Sequence, residues 1–392
     1  MIGKFLPPST QRMKSKQSIN RRFVYLRILV FASLFICALS GNSIAQEFKS
    51  IRPGVEYARV DYKIGGDPVK INLLRMDLTK VRLDVHHALD AAIGVEPTSS
   101  IANRHHGVAA INAGFFRLDN SMFAGDSVGI LMIDRSLFSE PRQNRIAIFI
   151  DNRPDQTIVA FDHLETSHWF EIKKRLLTVD GTNRERKENE LITYTSVFHP
   201  TTLTLPSGIE VSIVDNRVRE IRDGSGSMEI PMGGYVLSAS GKRREEVLAW
   251  IRKGWLRVGN RVNGYTSVTP SSATSKDVPY GSEDITNGVP QLIKDGKVDI
   301  TWEQEKASKS FAEMRHPRTA AAKLRDGKFL MITVDGRQPG VSVGMNLQEL
   351  TEYLLSVGAT DAMNLDGGGS TTMFLDGKVV NTPSGQRRRE KS

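Results

Sequence analysis

Cysteine is nearly absent from this 392-residue chain: Cys37 is the only one, and it lies inside an apolar run from Ile28 to Leu39. No intrachain disulfide can form, and beyond that run no thiol is available for catalysis. Long apolar stretches are missing as well. The run is shorter than the roughly 20 residues that cross a bilayer. Arg21 and Arg22 precede it, and small and polar residues follow up to Ser43-Ile44-Ala45. That order predicts a secretory signal peptide over residues 1–45, a secreted or periplasmic protein, and no stable membrane span in the mature form. Excess positive charge is also scarcer than the formal +9 implies. Residues 1–45 hold seven bases and no acid, so the remainder carries 46 basic and 44 acidic residues. A nucleic-acid footprint is therefore not expected.

Several catalytic signatures are lacking. There is no His-Glu-x-x-His, and no Lys after the glycine triplet at 367–369. These absences argue against a zincin and a Walker phosphate loop. The histidine doublets are poor metal sites: His86 and His87 would face opposite sides of a strand, and His105 and His106 are about 100° apart on a helix. No cofactor is expected. A divalent cation such as Ca2+, held by Asp and carbonyl oxygens near the glycines, is compatible with the sequence but not demanded by it.

What is present is strand alternation with few helices. Val55 to Val60, Val69 to Leu74 and Val81 to Val85 read as a meander with a turn at Gly65-Gly66. Thr98-Ser99-Ser100 is placed to cap a short helix ending near Arg104, and a strand follows to Ile111. Asn183 to Glu190 reads as a solvated hairpin tip. A helix is expected from Arg243 to Lys253. Asp326-Gly327 joins two strands, Asn346 and Glu349 mark the start of a helix that Gly358 ends, and Asp376-Gly377 closes a last hairpin. The expected fold is α+β, with mixed, largely antiparallel sheets and a few packed helices. The organisation reads as a leader at 1–45, a β-rich segment at 46–106 and a main domain at 107–392.

Between two strand-like runs stands Asn364-Leu365-Asp366-Gly367-Gly368-Gly369-Ser370. Three glycines remove every Cβ and allow backbone N–H groups to converge on an anion or a sugar hydroxyl, although a sharp turn would use the same residues. Arg318, at a strand start after His316-Pro317, suits a bidentate grip on phosphate or carboxylate, or else a surface ion pair. Asp335 and Asp366 are placed as a carboxylate pair of the kind glycoside hydrolysis uses, though each precedes Gly and would equally cap a turn.

Six segments in order resemble the phosphodiester glycosidase family: Ala110 to Phe116, Gly233 to Ser238, Asn287 to Gly296, His316 to Ala320, Val334 to Arg337, and Asn364 to Thr371. The resemblance covers roughly residues 107–386. It implies hydrolysis of a sugar-1-phosphodiester at the glycosidic C–O bond, with a sugar-phosphodiester or polysaccharide as substrate. It carries over Asp366 and Asp335 as catalytic candidates. As substrate or phosphate ligands it carries over Asn112, Gly114, His316, Arg318, Thr319, Arg337, Asn364, Gly367, Gly368, Gly369 and Ser370. Ala113 stands where the family usually has Gly, and a closing strand usual in the family is expected to be shortened after Arg387. The alternative from another class is a non-catalytic polysaccharide-binding or export accessory protein, or an inactive paralogue. Release of free sugar from a chromogenic sugar-1-phosphodiester separates these from an enzyme.

Overall fold

The computed structural model describes residues 46–384 apart from 143, 272–277 and 280. The expected signal peptide, Cys37 within it, and the C-terminal tail lie outside the described residues. The described residues form four sheets whose pairings are antiparallel, with the short Gly181–Thr182 to Leu191–Thr195 pair running parallel. Helices are few, so the structure is largely antiparallel β.

The largest sheet runs Lys49–Arg52, Val55–Ile64, Asp67–Met76, Phe329–Val334, Arg318–Leu324, Ala359–Asn364, Gln291–Lys294 and Lys297–Val298. Residues 49–76 thus share a sheet with 318–334, and the described residues from 47 onward cluster as one compact unit. Gly65 and Gly66 take φ of 59° and 96° in the two-residue turn between Val55–Ile64 and Asp67–Met76, the left-handed pair that matches strand twist. In the central strand Ala320, Ala321 and Ala322 are all buried, because successive residues face opposite layers and both layers are covered. Ala320 and Ala322 meet Leu350 and Leu354 of helix Leu347–Ser356 on one side. Ala321 meets Ile146, Ile148 and Phe161 of the seven-stranded sheet on the other. Alanine is a weak strand former, but its small side chain lets both layers approach.

The helix start at Asn346 is built as its sequence predicts. The Asn346 side chain accepts from Glu349 N, and the Glu349 carboxylate accepts from Asn346 N. Asn346→Ala is expected to lower unfolding free energy by about 1 kcal/mol, read as a lower urea midpoint at unchanged slope.

Three local expectations are corrected. Val81 to Val85 is not a ladder strand: Asn152 bonds Leu83 on both its backbone groups, and Asp284 accepts from Val85 N. The alternation was real, but side chains supply the hydrogen-bond partners. Helix Thr98–Arg104 has Pro97 at its cap position with no side-chain cap, and the Ser100 hydroxyl goes to Glu96 instead. The charged stretch after Asn183 is solvated only at Lys187, Glu188 and Asn189. Asn183 is buried, and Arg184 sits between Glu140 and Glu190 while Glu185 takes Arg117.

A candidate anion site at a strand-end corner

Three strand ends coincide at one corner of the large sheet. Arg318 opens the central strand opposite Val334, and Asn364 closes its other neighbour opposite Ala320. The chain therefore delivers His316-Pro317-Arg318, Asp335-Gly336-Arg337 and Asn364 to Ser370 to the same place. Asn112 joins them from strand Ala109–Ile111. Its Nδ2 donates to the Asp366 carbonyl at 2.7 Å, and its Oδ1 accepts from the Thr319 hydroxyl and Thr372 N.

The glycine loop differs from a floor of free N–H groups. Gly367 N donates to Asp366 Oδ1, Gly368 N to the Pro317 carbonyl, Ser370 N to Gly367 O and Thr371 N to Gly368 O. The glycines are needed for close approach instead. A Cβ on Gly367 would sit 2.7 Å from Pro317 O, and one on Gly368, at φ 60°, would press on the Arg337 guanidinium. Gly369 alone of the three faces open space.

Arg318 is 1% exposed. Its Nε donates to Met345 O, and its Nη2 to Phe311 O and Met314 O, with the Phe311 ring 4.8 Å from the guanidinium carbon. It has no carboxylate partner among the described residues, and Nη1 has no hydrogen bond there. Burial pushes its pKa down to about 10, Arg337 adds to that, and Glu349 opposes it while itself paired with Arg315. Arg337 is exposed and likewise has no acid partner among the described residues. At φ 58° it holds a left-handed conformation, and its Nη2 lies 3.3 Å from His316 Nδ1. His316 is held below the usual imidazole range by burial and by both arginines, against a backbone bond to Ser310. Since a guanidinium can only donate, Nδ1 is the acceptor in this contact.

The two carboxylates part company. Burial raises the pKa of Asp366, opposed by the Ser370 hydroxyl and Gly367 N–H. Asp335 is also raised by burial, but both its oxygens accept from Thr382 N and one from Asn381 Nδ2. Asp335 thus ties down residues 381–382 at this corner.

Gly114 and Asn364 serve the same junction. A Cβ at Gly114 would meet Asn287 Oδ1 at 2.9 Å, and Asn364 Nδ2 donates to Val289 O and Leu365 O. Sequence reasoning missed Phe311, Asn381, Thr382 and Asn287, which act through contacts distant in the chain. It also judged the histidines within each doublet only. The fold stacks His86 on His105 at 3.6 Å, near Asp90. Their rings are within 11° of parallel, so no ion can lie in both ring planes, and Arg104 already bonds both His105 and Asp90.

Residues 207–391 match the sequence profile of the phosphodiester glycosidase family. That match spans just under half of the chain. The N-acetylglucosamine-1-phosphodiester alpha-N-acetylglucosaminidase of Bos taurus is 32% identical over 140 residues, covering 33% of this chain and 25% of the relative. The chain thus spans about a quarter of that relative's length. A hypothetical protein from Synechocystis shares the fold at TM-score 0.72 and 23% identity, covering 86% of this chain and 61% of the other. An exported-class protein of Burkholderia pseudomallei does so at TM-score 0.68 and 22% identity, covering 81% and 71%. Asn112 and Gly114 lie outside the matched segment, yet bond to or pack with residues inside it. Among the described residues no helix is long and apolar enough to cross a membrane.

Proposed function

We propose that this chain is a hydrolase that cleaves a sugar-1-phosphodiester at the glycosidic C–O bond, acting on envelope or extracellular glycans. One observation carries the reading: Arg318 and Arg337 stand together beside the Asp366 loop with no carboxylate partner among the described residues. A buried cation beside a second cation is costly unless an anion completes it. A phosphodiester supplies that anion, and its phosphate departs with low basicity. Cleavage breaks the C1–O bond, water supplies hydroxide to C1 and a proton to solvent, and the phosphomonoester leaves. The guanidinium groups stabilise the departing charge. Asp366 works at the anomeric carbon in its ionised form.

The raised pKa of Asp366 sets the pH dependence. Its ionised fraction falls as pH drops through that raised pKa, so kcat/KM falls at a higher pH than for an ordinary carboxylate. With a chromogenic sugar-1-phosphodiester, Asp366→Asn is expected to lower turnover by about 10³-fold and to remove this acid limb. An Asp366→Asn protein that folds and turns over like the wild type would overturn the assignment.

A further inference from the structure

Away from the anion site, strand Thr157–Ile172 pairs with Asn263–Pro270 on one edge and Arg175–Thr178 on the other. Cross-strand partners share a face, so one face carries Glu165, Ser167, Trp169 and Glu171 beside Thr269, Ser267, Tyr265 and Asn263. Phe170, Ile172 and Leu177 turn to the opposite face and are buried. On the outward face Trp169 and Tyr265 lie directly opposite, their rings 5.7 Å apart and within 17° of parallel. Tyr265 is 42% exposed. Neither the Trp169 N–H nor the Tyr265 hydroxyl has a hydrogen-bond partner among the described residues.

We propose that this face binds a neutral hexose-containing oligosaccharide. A pyranose ring presents apolar C–H groups on its faces and hydroxyls at its rim. The exposed Tyr265 ring, backed by Trp169, matches the first, and the seryl and threonyl hydroxyls, Asn263 and the polar tips of the two rings match the second. Charge selects against the other ligands that stack on aromatics. Single-stranded nucleic acid needs a positive groove, whereas this face carries Glu165 and Glu171, and the nearby Arg261 is already held on Asn263 Oδ1.

The proposal does not depend on the hydrolase reading, and the test separates them. Cellohexaose, maltohexaose and chitohexaose are titrated calorimetrically into the full chain, with heparin as a polyanion control and light scattering to read oligomeric state. At least one hexaose is expected to bind, to shift tryptophan emission, and to be weakened about tenfold or more by Tyr265→Ala and by Trp169→Ala. Melting and sugar-phosphodiester turnover stay at the wild-type level in both variants, and Asp366→Asn keeps the hexaose affinity. No hexaose binding, binding that survives both alanine variants, heparin binding in place of hexaose, or a dimer that the variants dissociate would each overturn the proposal.

Discussion

Arg318→Lys is expected to lower kcat/KM for a sugar-1-phosphodiester by about 10³-fold, although charge is conserved. The guanidinium is a fork with three of its N–H donors fixed on the carbonyls of Met345, Phe311 and Met314, which leaves Nη1 for a ligand. An ammonium is a point donor on a flexible stem and cannot hold three carbonyls and a ligand in that fixed array. Two effects are separable. The lost carbonyl bonds cost stability, whereas the lost anion contact removes ligand protection. Inorganic phosphate is therefore expected to raise the melting temperature of the wild type and not of Arg318→Lys. Arg337→Lys should be milder, since Arg337 is exposed and keeps its ammonium in water. An Arg318→Lys protein with wild-type kcat/KM and intact phosphate protection would show that Arg318 is a structural arginine held by carbonyls alone.

Features decided within a few residues were legible in the sequence. The Gly65-Gly66 and Asp326-Gly327 hairpins and the Asn346–Glu349 capping box rest on local backbone geometry, and all three are present. The grouping of Asn112, Arg318, Asp366 and the glycines at one corner was readable only as a resemblance, because strand order decides it. Asp335 shows the limit most clearly. An aspartate before glycine at a strand end looks the same whether it faces a substrate or a returning chain, and here the returning chain, Asn381 and Thr382, claims it. The glycine triplet was recognised as close-approach backbone, but the approaching surface is the protein itself, Pro317 and Arg337.

Glu305→Ala is expected to cost about 3–5 kcal/mol of stability, more than any cap or surface change discussed above. Nothing in the sequence around Glu305 marks it, yet its side chain is fully buried between two sheets. It accepts from Ile146 N in the seven-stranded sheet and from Gln291 N in the eight-stranded one, and also from the Thr301 hydroxyl and His163. Removing it leaves two backbone N–H groups buried without water, each costing about 1–3 kcal/mol. Glu305→Gln keeps one acceptor oxygen and should fall between. The loss also reaches the anion site through the chain: Gln291 follows Pro290, whose carbonyl accepts from Asn364 N, and Val289 N donates to Asn364 O. Asn364 immediately precedes the Asp366 loop, so Glu305→Gln is expected to lower turnover without touching substrate. Denaturant unfolding measures the first effect and steady-state kinetics the second. A Glu305→Ala protein within about 0.5 kcal/mol of wild type would mean that water enters between the sheets and takes over both N–H groups, and the predicted link from this staple to the loop would go with it.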